Sequence, residues 1–287
     1  IVVDSWYKKS LWLYLLYPFA LAVSYFTGRK RRKFLKNSLK RYKSEVPIII
    51  VGNLTIGGTG KTPLVKYIAT ELIKLGYKPG IVSRGYGGKF KETLKVTNET
   101  PVKQTGDEAQ ILSTLNIPFY IDKNRVRALK TLNDNHDCDV IISDDGLQHY
   151  NMNRDVEIVV IDGKRRFGNN LSFPAGPLRE SLKRLDSVDF IVNNSGPTED
   201  GEHLMNVSPA KFIHLKSGKT YSVEEWPMHK QVHAVAGLGN PGRFFDLLAR
   251  LGFDITRNPF PDHHNFISED VHYLDHLPII MTEKDAS

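Results

Sequence analysis

The sequence has very little cysteine, since Cys138 is the only one among 287 residues. One thiol cannot form an internal disulfide or a cysteine-rich zinc site, so disulfide-stabilised secreted scaffolds are excluded and a reducing compartment is indicated. Disorder and collagen-like repeats are excluded too, because 40% hydrophobic and 25% charged residues make an ordinary globular composition. The length favours about two domains.

Acidic residues are nearly missing from the first 43 residues, where Asp4 stands against 11 Lys and Arg residues. This segment therefore carries a formal charge of +10, while the rest of the chain carries −3. Because the basic excess lies at one end, it favours a local contact with an anionic membrane surface and argues against a basic body that binds nucleic acid. We expect no nucleic-acid partner.

Residues 10–28 contain no charge at all, and the basic run Arg29–Lys33 follows at once. The uncharged run only just reaches the ~20 residues that a helix needs to cross a bilayer, and Pro18 lies in its middle. Its aromatic residues are typical of a membrane interface, so spanning and interfacial insertion both remain open. In either case the basic residues favour anionic lipid and place the following chain on the cytoplasmic side.

Two other interpretations of this segment remain. A secretory signal peptide fits poorly, because the strong charge follows the apolar run and no small-residue cleavage site is evident. A buried core helix followed by a solvated basic face also stays open, because the run is short for a span. The chain starts at Ile1 without a methionine and stops at Ser287 soon after an apolar run, so we expect either end to be incomplete.

Short apolar runs rich in β-forming residues alternate with helical patterns after the basic segment. Strands interleaved with helices predict a parallel sheet with helices on both faces. The clearest helix is Pro63–Leu75, which has one apolar face, begins with proline and ends before Gly76. The predicted strands are Val46–Val51, Gly80–Ser83, Pro118–Ile121, Val140–Ser143, Ile158–Ile161, Phe190–Val192, Val232–Ala236 and Pro278–Met281.

Residues 211–225 have a different pattern, that of two alternating strands around a Ser217-Gly218 turn. We place the domain junction there. The predicted organisation is a membrane-associating segment (1–43), a P-loop core domain (44–210), a two-stranded linker (211–225) and a smaller α/β domain (226–287).

The segment from Val46 to Thr62, VPIIIVGNLTIGGTGKT, places a buried strand before a glycine-rich turn and Lys-Thr at the start of the predicted helix. This is the context of a P-loop, in which backbone N–H groups and the helix N-terminus bind phosphate, Lys61 reaches the terminal phosphates and the Thr62 hydroxyl binds Mg²⁺. Thr55 stands where the pattern G-x-x-x-x-G-K-[ST] has its first glycine, and we expect the glycines that follow to supply the freedom. A plain glycine-rich turn would not require Lys-Thr. The predicted nucleotide-binding residues of the loop are Thr55, Ile56, Gly57, Gly58, Thr59, Gly60, Lys61 and Thr62.

Two consecutive aspartates, Asp144 and Asp145, follow the β-rich run VIIS. Ligands of open α/β sheets bind at the carboxyl ends of strands, so we expect one carboxylate to join the Mg²⁺ shell and the other to position it. An ordinary Asp turn or helix cap is the alternative. The N/T-K-x-D tetrad typical of guanine-specific switches is missing, since residues 282–285, TEKD, have the wrong order, and this argues against a GTPase.

Several polar motifs stand at predicted strand ends and helix starts. In order they are VGNLTIGGTGKTP, SRGYGG, GDEA, DDGLQH, DGKRRFGNNLSFPAGPLRE, AGLGNPGRFF, FPDHHNF and MTEKDA. Behind a basic membrane-seeking segment, this set closely resembles the tetraacyldisaccharide 4'-kinase family, the lipid A 4'-kinases of Gram-negative bacteria, over nearly the whole chain. The resemblance implies transfer of a phosphoryl group from ATP, with Mg²⁺, to the 4'-hydroxyl of a tetraacylated glucosamine disaccharide 1-phosphate. It also implies two α/β domains, no required protein partner, and a location at the cytoplasmic face of the inner membrane, peripheral or with a single N-terminal span.

Two catalytic residues are carried over from the family's motifs. The catalytic Asp of GDE corresponds to Asp107, and the His of PDH corresponds to His263. A carboxylate paired with an imidazole is suited to take the proton of a sugar hydroxyl during attack on the γ-phosphorus, which contributes ~10²–10⁴-fold. Without the resemblance, Asp107 is equally an acid at a helix start, and nothing chooses between His263 and His264. Lys61 completes the predicted catalytic set.

Further motif positions are implied to serve the metal, the nucleotide or the order of the active site. Tyr86 in SRGYGG is expected near the nucleotide, and Glu180 joins Thr62 and the two aspartates as a metal ligand. The other implied active-site residues are Glu108, Gln148, His149 and Arg179.

Two other functions stay as alternatives. A membrane-associated P-loop ATPase switch for protein targeting or assembly shares the phosphate loop and basic anchor, but leaves FPDHHNF and PAGPLRE unexplained. A dinucleotide-dependent enzyme is suggested by residues 237–242, GLGNPG, which satisfy G-x-G-x-x-G between a predicted strand and helix. We interpret this loop as a tight strand-to-helix turn, because no acid ends a second strand about 20 residues further on.

Overall fold

The structure, a computed structural model, describes residues 2–8, 10–36, 41–209, 211–262 and 264–286. The chain divides into two compact units, Ile1–Asn206 and Val207–Ser287. The larger unit contains a helical N-terminal segment and an eight-stranded sheet, and the smaller unit contains a three-stranded sheet and a two-stranded one.

The N-terminal segment is helical. Helix α1 (Val2–Ser5) precedes a 3-10 helix (Leu11–Leu16), which leads directly into helix α2 (Tyr17–Lys36). Pro18 is the second residue of α2, and in the first turn of a helix its missing N–H and fixed φ are tolerated. The proline therefore does not interrupt the apolar run.

Most of this apolar run is exposed. Among the residues that the structure describes, Leu11–Lys36 is the one helical stretch long and apolar enough to cross a membrane, and 11% of its most apolar window is buried. The interpretation as a buried core helix is therefore wrong: within the run only Leu13 and Ala20 are buried. The exposed large apolar side chains of the run are Leu11, Trp12, Tyr14, Leu15, Tyr17, Phe19, Leu21, Tyr25 and Phe26.

The strands of the large sheet and the helices between them are, in chain order, β1 (Ile48–Gly52), α3 (Lys61–Lys74), β2 (Pro79–Ser83), β3 (Leu94–Lys95), α4 (Val102–Thr105), α5 (Asp107–Ser113), β4 (Phe119–Ile121), α6 (Arg125–Asn135), β5 (Val140–Asp144), β6 (Val156–Asp162), a 3-10 helix (Leu182–Ser187), β7 (Phe190–Asn194) and β8 (Glu202–Met205). The strand order in the sheet is β3-β4-β2-β5-β1-β6-β7-β8, and every pair is parallel except β3 with β4.

Helices cover both faces of this sheet. Val65 of α3 packs in one buried cluster with Ile142 of β5, and Leu129 of α6 packs in a second cluster with Ile141 of the same strand. Successive strand residues point to opposite faces, so α3 and α6 lie on opposite sides of the sheet. The central strands β1, β2 and β5 are mostly buried along their length, because helices cover both faces of the sheet there.

The elements of the smaller unit are β9 (Phe212–Ile213), β10 (Thr220–Tyr221), β11 (Gln231–Ala236), α7 (Pro241–Arg250), β12 (Asp254–Pro259), a 3-10 helix (Ser268–Val271) and β13 (Ile279–Met281). This unit has its own parallel sheet, in the order β12-β11-β13. Helix α7 buries Phe245 and Leu248 in a cluster with Val232 and Ile280 of the sheet. The strands β9 and β10 form a separate antiparallel pair.

Each of the eight apolar runs forms a strand, which confirms the strand predictions to within two residues. The predicted helix Pro63–Leu75 is α3, which begins two residues earlier because Lys61 and Thr62 form its first turn. The edge strand β8, with the sequence EHLM, was not predicted, because a largely exposed strand at a sheet edge lacks a buried apolar pattern.

Candidate active site

The phosphate loop lies at the carboxyl edge of the large sheet. Strand β1 lies between β5 and β6, and Val51 pairs with Asp144. The loop that follows β1 and the aspartate pair that ends β5 therefore meet at the same edge, where α/β sheets bind their ligands.

Two glycines of the loop have positive φ angles, +108° at Gly57 and +94° at Gly60. Thr55, which replaces the first glycine of the P-loop pattern, forms an antiparallel bridge with Leu178. The Ile56 N–H next to it donates to the Pro177 carbonyl at 2.8 Å. Because Thr55 is extended, no glycine is needed at its position, and the PAGPLRE motif fixes the loop from the side.

Asn53 organises the loop from inside. It is fully buried, and its Nδ2 donates to the carbonyls of Thr55 at 2.8 Å and Gly57 at 3.3 Å. Its Oδ1 accepts a hydrogen bond from Lys61 Nζ at 3.3 Å. The Asn53 side chain thus positions both the loop backbone and Lys61.

Asn194, at the end of β7, supports the other side of the loop. Its Nδ2 donates to the Thr59 carbonyl at 2.8 Å, and a Cβ on Gly60 would overlap that same nitrogen. Gly60 is therefore required both by its φ angle and by space. Asn53 and Asn194 were not predicted as site residues, because a single asparagine after a strand carries no spacing signal.

Lys61 is 7% exposed and has an ionic partner, since its Nζ lies 3.5 Å from Asp145 Oδ1. Arg179 Nη1 donates to both oxygens of Asp145, at 3.0 and 3.1 Å. Burial opposes ionisation of Asp145, but the charges of Lys61 and Arg179 outweigh it and lower the pKa of this carboxyl to about 2. Asp145 is therefore ionised and forms ion pairs with Lys61 and Arg179.

Asp144, one residue earlier, is in the opposite situation. It is 1% exposed, and Ser83 Oγ donates to its Oδ2 at 3.4 Å, whereas its Oδ1 has no hydrogen-bond partner among the described residues. Burial, together with the charge of Glu108, raises the pKa of Asp144 to about 7 despite the attraction of Lys61. A buried carboxylate oxygen without a partner suits a cation.

The residues at this edge fit a Mg²⁺ ion that takes its other ligands from phosphate and water. Asp144 supplies the unpartnered oxygen, and Thr62 follows Lys61 in the first turn of α3. Over the described part of the chain, no group of three or more His, Cys, Asp or Glu could hold a metal by itself. A metal held mainly by a nucleotide needs no such group.

Glu180 lies in a different group of side chains from the aspartate pair. Its Oε1 accepts a hydrogen bond from the Tyr150 hydroxyl at 2.5 Å, and its Oε2 lies 4.0 Å from Arg184 Nε. Oε2 has no hydrogen-bond partner within the described residues. The structure therefore does not group Glu180 with Asp145, whose partners are Lys61 and Arg179.

Gln148 and His149 follow the aspartate pair along the chain. Gln148 Nε2 donates to the Asn53 carbonyl at 3.0 Å, which connects this segment to the phosphate loop. Burial and the positive charge of Arg125 lower the pKa of His149 to about 4, so its imidazole is neutral at pH 7. Arg125 itself donates from Nη2 to the Asp145 carbonyl at 3.2 Å, and sequence reasoning missed it.

Asp107 is the half-buried first residue of α5, directly after Gly106. A Cβ on Gly106 would overlap the Tyr86 carbonyl, so the SRGYGG loop packs against the start of α5. The Tyr86 ring itself is exposed. Glu108, the next residue, acts electrostatically on Asp144, which places the start of α5 near the carboxyl end of β5.

Of the two adjacent histidines, His264 has partners that the structure describes. His264 Nε2 lies 2.8 Å from Asp270 Oδ2, and its ring contacts Phe260 and Phe266. His264 is thus engaged in packing its own loop. His263 lies outside the described residues.

The Gly237 loop of the smaller unit is occupied by an acid of its own chain. Asp285 Oδ1 accepts from the Gly237 N–H at 3.1 Å, and Asp285 Oδ2 accepts from Thr282 Oγ1 at 2.6 Å. A carboxylate at the first loop amide competes with a dinucleotide pyrophosphate for the same donor. This favours the interpretation of GLGNPG as a structural turn.

A family model described as tetraacyldisaccharide-1-P 4'-kinase, LpxK, matches residues 12–287. The chain belongs to this family.

Members of the LpxK family resemble the chain along almost its full length. The tetraacyldisaccharide 4'-kinase of Psychromonas ingrahamii is 44% identical over 285 residues, which cover 98% of this chain and 88% of that protein. The enzyme of the same name from Methylobacillus flagellatus is 42% identical over 284 residues, which cover 98% and 85%. The family resemblance found in the sequence is confirmed.

A solved LpxK structure also matches the fold. The crystal structure of LpxK from Aquifex aeolicus in complex with ATP has a TM-score of 0.79 and 28% identity, and the match covers 96% of this chain and 90% of that one. The predicted α/β fold class is confirmed. Membership of the LpxK family does not favour the ATPase switch.

Proposed function

We propose that this protein transfers the γ-phosphoryl group of ATP to the 4'-hydroxyl of a tetraacyl disaccharide 1-phosphate and so forms the 4'-phosphorylated lipid A precursor. Family membership supports the reaction class. The observation that carries the proposal is the buried Lys61 at the phosphate loop, held by Asn53 and Asp145 beside Asp144, whose Oδ1 has no hydrogen-bond partner among the described residues. A lysine that is already held in place at a phosphate loop is suited to bind the terminal phosphates of a nucleotide during phosphoryl transfer.

We assign nucleotide binding to the phosphate loop. Lys61 and the loop N–H groups from Gly57 to Thr62 bind the β- and γ-phosphates, and Tyr86 lies beside the nucleotide. Asp144 and the Thr62 hydroxyl hold Mg²⁺, and Asp145 positions Lys61 and Arg179. When bound, Mg²⁺ supplies positive charge that offsets the charge developing on the transferred phosphoryl group.

We assign to Asp107 the role of the base that takes the proton of the acceptor hydroxyl, as the resemblance implies. Asp107 is a half-buried carboxylate at the start of α5, next to Glu108, which acts on Asp144 at the sheet edge. His263 is the second residue that the resemblance assigns to this role. The pairing of His264 with Asp270 supports the choice of His263 between the two histidines.

We further propose that residues 1–43 dock the enzyme on the cytoplasmic face of the inner membrane, so that the glycolipid presents its sugar without leaving the bilayer. Exposed apolar side chains on α2 are followed by the exposed basic residues Arg29, Lys30, Arg32 and Lys33. This succession suits a helix at an anionic bilayer surface. Residues 44–210, 211–225 and 226–287 remain the proposed core, linker and smaller domain.

The deciding experiment is transfer of labelled γ-phosphate from Mg-ATP to tetraacyl disaccharide 1-phosphate in mixed micelles. Lys61→Ala is the blank, and Lys74→Ala is its matched control, since Lys74 is an exposed lysine at the far end of the same helix. Labelled lipid should appear with wild type and Lys74→Ala and not with Lys61→Ala. ATP hydrolysis without labelled lipid would instead support the ATPase switch.

Two further variants separate binding from chemistry, and a third tests the neighbouring histidine. Asp107→Ala should lose transfer and retain ATP binding, and His263→Ala should do the same. His264→Ala should lower thermal stability, because it removes the Asp270 contact and the packing between two rings. Normal turnover in Asp107→Ala would remove Asp107 as the base.

A further inference from the structure

The second half of helix α2 contacts a side chain that holds Glu180. The ring of Phe34 stacks on Tyr150 with centroids 6.2 Å apart and planes inclined by 22°. The Tyr150 hydroxyl donates to Glu180 Oε1 at 2.5 Å. Arg41 donates from Nε and Nη2 to the Phe34 carbonyl at 3.1 and 2.7 Å, which anchors this part of α2. A continuous path of contacts thus leads from α2 to one oxygen of Glu180.

A second path leads from α2 to the other oxygen. Arg31 Nη2 donates to Ser187 Oγ at 2.6 Å, and Arg184 Nη1 donates to the same oxygen at 2.8 Å. Arg184 Nε lies 4.0 Å from Glu180 Oε2. The Ser187 hydroxyl hydrogen goes to the Arg184 carbonyl at 2.9 Å, so Ser187 Oγ is free to accept from both guanidinium groups.

The group around Glu180 is buried and closely balanced in charge. Arg184 also pairs with Glu157 Oε1, and Arg154 Nη1 donates to the same oxygen at 2.7 Å. The attraction of Arg184 is therefore shared between two carboxylates. Burial and the charge of Glu180 raise the pKa of Tyr150, so its hydroxyl stays protonated and donates. Glu180 is held by Oε1, and Oε2 accepts no hydrogen bond from any described residue.

Glu180 is linked to the phosphate loop through its sequence neighbour Arg179. Its neighbour Arg179 donates its N–H to the Leu54 carbonyl at 2.7 Å and pairs with Asp145. A movement of α2 that shifts Tyr150 and Glu180 therefore acts on the segment that supports the loop. Buried groups of this kind have few alternative positions, so a displacement at one end is passed on.

We propose that Tyr150 is a positioning residue, which orients Glu180 through one oxygen and couples the seating of α2 on an anionic membrane to the active site. The inference rests on the proposed kinase function and adds a route by which membrane contact sets turnover. The bound enzyme keeps Phe34 stacked on Tyr150, and Glu180 then presents Oε2 in a fixed direction.

The first test is Tyr150→Phe, which keeps the ring and removes the donor. We expect kcat for lipid phosphorylation to fall about 10- to 100-fold, the range for loss of a hydrogen bond to a charged group, with KM for ATP changed less than about twofold. Tyr120→Phe is the matched control. Tyr120 is equally buried, and its hydroxyl contacts His136.

A double-variant cycle with Glu180→Gln tests whether Tyr150 acts through Glu180. If it does, Tyr150→Phe costs nothing further in the Glu180→Gln background, because residues of one unit are non-additive. If Tyr150 had a merely structural role, Tyr150→Phe would lower kcat by the same factor in the wild-type and Glu180→Gln backgrounds, and that result would overturn the proposal. If Tyr150→Phe and Tyr120→Phe lowered kcat equally, that result would overturn the proposal as well.

Phe34→Leu tests the contact with α2 and stands by itself if Tyr150→Phe fails to fold. On vesicles with 30% anionic lipid we expect a lower kcat, unchanged vesicle binding, and no further loss in combination with Tyr150→Phe. Unchanged kcat in Phe34→Leu would disprove the coupling. Wild-type protein that forms no labelled lipid would instead overturn the proposed kinase function, which separates the two failures.

Discussion

Arg179 Nη1 donates to both carboxylate oxygens of Asp145, at 3.0 and 3.1 Å, and the same carboxylate lies 3.5 Å from Lys61 Nζ. Asp145 has a φ angle of +47°, which is uncommon outside glycine, and Arg125 donates to its carbonyl at 3.2 Å. The carboxylate of Asp145 therefore acts as a fixed point between two cations. Lys61 is positioned before any nucleotide arrives.

Asp145→Asn should lower kcat about 10- to 100-fold, because Lys61 and Arg179 lose the anion that orients them. Initial-rate assays over a range of ATP concentrations measure the effect. Asp137→Asn is the control, since Asp137 is a 92% exposed carboxylate paired with Lys78. A variant with wild-type kcat would show that the ion pairs do not orient the lysine.

Asp144→Asn should abolish transfer and leave the protein as stable or more stable. The substitution removes a buried ionisable group whose Oδ1 lacks a hydrogen-bond partner among the described residues, and such a group costs free energy of folding. We expect Tm to stay or to rise, while transfer falls at least 100-fold at any Mg²⁺ concentration. A lower Tm together with retained transfer would contradict the assignment of this carboxylate to the metal.

Asp122→Asn should destabilise the protein above about pH 4 and make no difference in stronger acid. Burial opposes ionisation, but hydrogen bonds from Arg127, Thr93 and the Asn124 N–H lower the pKa of Asp122 below its ordinary value. A lowered folded-state pKa stabilises the protein above the unfolded pKa of about 3.9, and this stabilisation is lost as pH falls through the folded value. We expect a cost of about 2 kcal/mol near pH 7 in denaturant titrations. If the difference in unfolding free energy between wild type and Asp122→Asn became larger in acid, the pKa of Asp122 would not be lowered in the folded protein.

Replacing Arg29, Arg32 and Lys33 by Gln should weaken binding to vesicles with 30% anionic lipid about 100-fold, since each basic residue contributes ~1 kcal/mol. All three side chains are exposed on α2. Co-sedimentation measures the effect, and added salt should diminish it for the wild type. Replacement of the exposed Lys211, Lys216 and Lys219 removes the same charge elsewhere and should change binding little. Equal losses in the two triple variants would show that net charge alone binds the membrane.

Local sequence patterns were enough to predict a large part of the candidate active site. The phosphate loop follows from a strand, glycines and Lys-Thr in a short segment, and the aspartate pair follows from its place after an apolar run. Asn53, Asn194, Arg125 and Tyr150 could not be found in this way. Asn194, Arg125 and Tyr150 act on residues that folding brings near, such as Thr59 in the case of Asn194, and no spacing in the chain records these contacts. Asn53 acts on residues close in sequence, Thr55 and Gly57, but a single asparagine after a strand forms no pattern.

The sequence by itself determined the alternation of strands and helices, the position of the phosphate loop and the basic end of the chain, because these depend on residues close in sequence. The tertiary structure decided how two adjacent aspartates differ. Asp145 meets Lys61 and Arg179 and stays ionised, whereas Asp144 is buried beside Ser83 with one oxygen unpartnered among the described residues. The two side chains are chemically identical, and only the packing of distant segments around them, through burial and charge, gives them different pKa values.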